Sequence, residues 1–320
     1  MKKLIYICLL LPLAFCGFSC SKSEKSDFVF EPEVPLGDPF ILLYEGTYYA
    51  YGTNADNGIE VYTSDDLLYW SRSNKLALTT ENSWGGKWFW APEVYYMQDK
   101  KKFYMYYSAN EHICVATSDS PLGPFVQDPK VPMLESESAI DNSLFIDDDG
   151  KAYLYFVRFN SVSGSGVWSA QLGNDLKTMD QGTLKQHISV SQEWERVWGL
   201  VNEGPFVIKH NNLYYMTYSA NSYESQRYGI GLATASSPEG PWTKYTGNPI
   251  LQLPADLVGV GHNALFHDKE GKLKIVFHAH HSKDSIHPRA MYIADVTWTT
   301  DALPVMKISS DIIRPKIKRK

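Results

Sequence analysis

At 320 residues, 44% of them apolar and 14% aromatic, the chain is long enough to bury one large core or two smaller ones. Its formal charge of -6 excludes the basic surface that a nucleic-acid binder needs, and its one basic run, RPKIKRK at the end, reads as a solvated tail.

In chain order, the first element is a targeting segment. Lys2 and Lys3 precede the apolar run LIYICLLLPLAF, which is too short to span a membrane comfortably and gives way to small residues. GFSC then resembles a bacterial lipoprotein lipobox with Cys20 as the lipidated residue; an ordinary secretory signal is the alternative. Residues 1–20 are therefore expected to be removed and residues 21–34 to form a polar tether. The mature protein is expected in the cell envelope, touching membrane only through its N-terminal lipid anchor. Cys8 and Cys16 leave with the signal, and Cys114 in HICVAT reads as a buried strand residue, so no internal disulfide is expected.

From residue 35 onward one pattern recurs five times: a polar residue, an apolar strand, a polar turn and an aromatic-rich strand. The five stretches are GDPFILLYEGTYYAYGT, WAPEVYYMQDKKKFYMYYSA, DNSLFIDDDGKAYLYF, NEGPFVIKHNNLYYMTYSA and HNALFHDKEGKLKIVFHA. Aligning Pro92 with Pro205 places Trp90 at the position of Glu203. The equivalent positions are then 38, 90, 141, 203 and 262, separated by 52, 51, 62 and 59 residues. A third strand follows each hairpin and usually a fourth, as in IEVYTSDDLLYW and YGIGLATASSPEGPW, and no long amphipathic helix interrupts them. A strand-filled period of this size predicts an all-β, five-bladed β-propeller over residues 35–320 with no second domain.

In a propeller the first strand of each blade lines the axis, so Asp38, Trp90, Asp141, Glu203 and His262 are expected to converge on one mouth. Each taken alone has an ordinary structural explanation. Three carboxylates gathered without lysines repel one another, which argues for chemistry instead.

The ordered set GDPF, WAPE, IDNSLF, NEGPF and GHNALF resembles glycoside hydrolase family 43, propeller glycosidases acting on arabinose- and xylose-containing plant polysaccharides. The resemblance implies that Asp38 is the general base activating water, Glu203 the general acid, and Asp141 the carboxylate that orients the acid and raises its pKa. Inversion would need one protonated and one ionised carboxyl, about 6.5–9.5 Å apart. Trp90 would wall the sugar site and Arg289 in HPRAMYIADV would reach substrate, or else make a structural salt bridge. His262 would sit on the axis, beside a metal ion or an ordered water, or would only hydrogen-bond Glu203 or water. No cofactor is expected to be required; a structural calcium or other ion near His262 is allowed.

Other features carry plainer readings. Glu93 aligns with Phe206 and is not expected to be catalytic. HAHH (His278, His280, His281) lacks spaced partners for zinc. SVSGSG, 161–166, reads as a turn without a helix to cradle phosphate, and SQEWERVWGL as a loop over the mouth whose Trp194, Glu195 and Trp198 are candidates for shaping it. The function expected is an exo-acting inverting hydrolase releasing terminal α-L-arabinofuranose or β-D-xylose, with oligo- or polysaccharide as partner. Endo-arabinanase action and a non-catalytic glycan-binding lipoprotein are the alternatives.

Overall fold

Apolar strands separated by short polar turns fold into up-and-down sheets in the computed structural model, which describes residues 32–160 and 164–318. The signal segment, Cys20 and the tether up to residue 31 lie outside the described residues, as do residues 161–163 of SVSGSG. The turns Glu45-Gly46 and Asn211-Asn212 show why those residue types stand there: φ is 46° and 77° in the first, 49° and 61° in the second, as mirror-image hairpin turns require.

Blade I comprises β1 (Gly37–Tyr44), β2 (Thr47–Thr53), β3 (Gly58–Ser64) and β4 (Tyr69–Arg72), with the short β5 (Leu78–Thr79) also pairing β3. Blade II holds β6 (Trp90–Met97), β7 (Lys102–Ala109) and β8 (His112–Ser118); its fourth strand shrinks to a bridge between Thr117 and Val126. Blade III is β9 (Ala139–Ile146), β10 (Ala152–Asn160), β11 (Gly164–Leu172) and β12 (Met179–Ser189). Blade IV is β13 (Asn202–His210), β14 (Leu213–Ala220), β15 (Gly229–Ala235) and β16 (Thr243–Lys244). Blade V is β17 (Gly261–His267), β18 (Leu273–Ala279), β19 (Ala290–Trp298) and β20 (Met306–Ile313).

The innermost strands touch in sequence, β1 with β6, β6 with β9, β9 with β13, β13 with β17 and β17 with β1, so the ring closes. Closure is reinforced where β21 (Lys316–Ile317) runs parallel to β4 and Glu33 bridges to Lys316. Glu33 and Val34, counted with the tether on sequence, are thus built into the ring, and Val34 is fully buried. Helix is confined, among the described residues, to two single 3₁₀ turns, Thr80–Asn82 and Glu193–Arg196.

The aromatic second strands bind the blades to one another. Tyr51, Tyr106, Tyr155 and Tyr215 are fully buried, and each donates its hydroxyl to a carbonyl in the following blade, at Pro121, Leu176, Pro238 and Pro304, over 2.5–2.9 Å. The ring fills the wedge between sheets while the hydroxyl satisfies a loop carbonyl, a bond worth about 1 kcal/mol net.

Candidate active site at the propeller mouth

Every innermost strand carries the same irregularity. Pairing with the second strand skips from Gly37 to Phe40, Trp90 to Glu93, Ile140 to Ser143, Glu203 to Phe206 and Gly261 to Ala264. The first residue in each gap is left-handed: φ is 46° at Asp38, 46° at Ala91, 57° at Asp141, 53° at Gly204 and 47° at His262. These are β-bulges, which re-aim side chains at a strand's entrance. They correct the alignment read from sequence, because Asp38, Asp141 and His262 occupy the bulge proper whereas Trp90 and Glu203 stand one residue before it. Pro39, Pro92 and Pro205 all take the second bulge position, a signal that would have set the phase.

At the position before the bulge, blades I and V carry glycine for a steric reason. A Cβ on Gly37 would lie 2.5 Å from the Arg289 guanidinium, and one on Gly261 would lie 2.1 Å from the Tyr228 ring. The space serves the two side chains that hold Asp38 and Glu203.

The bulge amides are held by the preceding blade. Ala91 donates to Thr53 Oγ1 (3.0 Å), Asp141 to Ser108 Oγ (3.0 Å), His262 to Ser219 Oγ (2.7 Å) and Asp38 to His278 Nδ1 (3.0 Å). In blade III the corresponding residue is Val157, paired with Ile140, which has no side-chain acceptor. The Gly204 amide turns instead to Asp141 Oδ2 at 3.2 Å, so one of the three carboxyl groups is tied to the strand bearing another.

The three carboxyl groups stand in unlike surroundings. Asp38 receives both arms of Arg289, at 2.6 and 3.0 Å, with His262 Nδ1 and His278 Nδ1 each 3.3 Å from Oδ1. Burial pushes its pKa up, but the Arg289 guanidinium, foremost, overcomes this and holds it well below the usual carboxylate range. Glu203 has no cation in hydrogen-bond contact; burial, and next the Asp38 charge, raise it to about 7 against the Tyr228 hydroxyl donated at 2.7 Å. Asp141 is raised well above its ordinary value by burial, then by Glu203 and Asp38. Both pKa values are raised, so this side of the site favours a protonated carboxyl over a pair of anions. The like charge that raises Glu203 is that of Asp38, while Asp141 is itself raised by Glu203.

Asp38, Asp141 and Glu203 line a cavity of about 260 Å³ together with Thr53, Trp90, Ile140, Tyr223, His262, His287 and Arg289. All six residues expected at the site are brought together. Arg289 makes the salt bridge and also faces the cavity. His262 faces Asp38, with Asp141 Oδ2 at 4.0 Å, and not Glu203 as one reading had it; burial lowers its pKa and keeps the ring neutral. Tyr223, Tyr228, His278 and His287 were missed. His278 lay in plain view in HAHH, but only ring closure puts it under Asp38, where it is buried and lowered to about 3.

A larger hollow of about 890 Å³ on the outer edge of blade I has one buried carboxylate, Glu60, already engaged by Arg72 and Tyr62, and so lacks an acid–base pair. Glu93 does take the place of Phe206; burial raises it to about 8 and Tyr95 donates to it. Cys114 is buried, its thiol raised to about 12 by desolvation. Trp194 and Glu195 point away from the cavity. The side chains around His262 do not fit a calcium cage, which takes roughly six to eight oxygens. The nearest carboxylate, Asp38, is occupied by Arg289, and among the described residues no cluster of three metal-ligating side chains occurs.

One ionised carboxyl facing a pair that keeps a proton, at the mouth of a five-bladed propeller, defines a glycoside hydrolase. The chain belongs to the glycosyl hydrolases family 43, whose pattern matches residues 33–304. It is similar to a β-D-galactofuranosidase of Aspergillus niger, 26% identical over 85% of this chain and 82% of that one. An extracellular exo-α-(1→5)-L-arabinofuranosidase of Cellvibrio japonicus is 25% identical over 85% of this chain and 86% of its own. Among solved structures, an endo-1,4-β-xylanase from Bacteroides thetaiotaomicron superposes with a TM-score of 0.84 at 48% identity, covering 90% of this chain and 98% of that one.

Proposed function

We propose that this glycoside hydrolase is inverting and exo-acting, and that it releases terminal α-L-arabinofuranose or β-D-xylose from oligosaccharides of plant polysaccharides. The observation that carries the reading is the small cavity holding both protonation states. At about 260 Å³ it falls below the roughly 300–1,000 Å³ of pockets for drug-sized ligands, which suits one sugar ring at a chain end.

Asp38, ionised and fixed by Arg289, takes a proton from water as the water attacks the anomeric carbon. Glu203, protonated up to about pH 7, gives its proton to the departing glycosidic oxygen. Asp141 shares the acid's proton and aligns its strand through the Gly204 amide. Trp90 offers an apolar wall to the ring. These steps call only on the chain's own side chains. The N-terminal segment suits a lipoprotein of the cell envelope, and relatives named as extracellular are in keeping with export.

Endo action is the second reading, favoured by the name of the 48% identical structure. Linear arabinan and xylan oligosaccharides separate the two. Exo action yields monosaccharide from the first time points with the parent shortened one unit at a time, and early proton NMR shows the inverted anomer. Internal fragments at early times sink the exo reading; a retained anomer sinks the inverting one.

A further inference from the structure

Between β12 and β13 the chain runs through residues 190–201 and enters the strand that carries Glu203. Its inner half is tied down. Glu195 is fully buried; its Oε2 accepts the amides of Ser191 (2.6 Å) and Gln192 (2.8 Å), and its Oε1 accepts the Tyr218 hydroxyl (2.8 Å) and Lys244 Nζ (2.5 Å). Lys244 also reaches the Ser189 carbonyl (2.7 Å) and Asn202 Oδ1 (2.8 Å), beside Glu203. Asn221 Oδ1 accepts the amides of Val197 (2.9 Å) and Trp198 (3.3 Å). A buried ion pair with every partner satisfied holds one conformation.

The outer half does the opposite of what a solvated loop needs. Val197, Trp198 and Leu200 are 58%, 51% and 43% exposed, three large apolar side chains within four residues. The backbone of this half runs beside the cavity wall. The Trp198 carbonyl accepts the Ser222 amide at 2.8 Å, next to cavity-lining Tyr223, and Leu200 stands three residues before Glu203. A rigid scaffold presenting apolar surface marks a contact site and not a random exposure.

We propose that Trp198, flanked by Val197 and Leu200, is the platform for the leaving part of the glycan, the sugar ring just beyond the scissile oxygen. This rests on Glu203 being the acid: the ring attached to the oxygen it protonates must lie along its flank. The C–H face of that ring packs on the indole, while its hydroxyls stay in water.

The test compares an oligosaccharide with the glycosyl fluoride of the same terminal sugar, whose leaving group has no ring. Trp198→Ala is expected to lower kcat/KM about three- to tenfold more on the oligosaccharide than on the fluoride, chiefly through KM, the worth of one aromatic face. Trp198→Phe should recover most of it. Equal losses on the two substrates, or no loss on the oligosaccharide, overturn the platform. The wild-type products report separately on exo action: an enzyme that cuts only within chains refutes that reading, while the variant-to-wild-type ratio on the glycan it cuts still decides the role of Trp198.

Discussion

Asp38 in blade I and Asp141 in blade III leave the same bulge, at φ 46° and 57°, and both are buried at one mouth, yet their pKa values move in opposite directions. The difference lies in what the neighbouring blades supply. Blade V gives Asp38 a guanidinium in a two-armed grip and a histidine beneath its amide, with Gly37 leaving room. Blade IV gives Asp141 another carboxyl, Glu203, and a backbone amide. Backbone geometry repeated by the fold thus places the carboxyls, and the cation count on each side assigns them. Like charges without a counterion keep a proton; a carboxylate with a bidentate arginine does not.

Removing the ionised side should cost most. Asp38→Asn is expected to cut kcat by about 10³-fold or more, near the upper end for general base catalysis, and added azide should restore part of the turnover by attacking in place of water. Better rescue of Asp141→Asn than of Asp38→Asn would exchange the two roles.

On the opposite side Glu203→Gln should be graded by the leaving group. Natural linkages should lose about 10²–10⁴-fold, and activated aryl glycosides far less, because an alcohol that departs readily needs little protonation. A uniform loss on both would remove Glu203 from the acid's role. In the wild type, activity on natural linkages should fall as pH rises through about 7, where Glu203 gives up its proton.

The smallest effect tests the sharing of that proton. Asp141→Asn keeps an oxygen for the Gly204 amide but removes the carboxyl coupled to Glu203, so a dianion can no longer form. Losing the last proton from the site then becomes easier. The basic limb of the pH–rate profile should move to lower pH, with part of the activity surviving. A limb that stays in place would mean that burial and Asp38 alone set the acid.

Much of this arrangement was legible along the chain. Five hairpins at a period of 51 to 62 residues gave the ring, and the motif order brought Asp38, Trp90, Asp141, Glu203, His262 and Arg289 to one place. The phase of the repeat was misread by one residue at Trp90 and Glu203, because a bulge holds two residues against one and side-chain identity alone does not say which of them turns left-handed. Trp194 and Glu195 read as mouth residues because their loop precedes Glu203; a single 3₁₀ turn sends them inward.

The sequence by itself determined the blades, since strand-length apolar runs, some of them alternating, and the turns that pair them are local signals. It determined the identity of the carboxyl groups too. Only the tertiary structure decided what each would do, because pKa depends on distances of a few ångströms between groups far apart in the chain. Arg289 lies 251 residues from Asp38 and His278 lies 240, and closing the ring brings both against it. Glu203 and Asp141, 62 residues apart in sequence, are both raised because each is buried among other carboxyl groups.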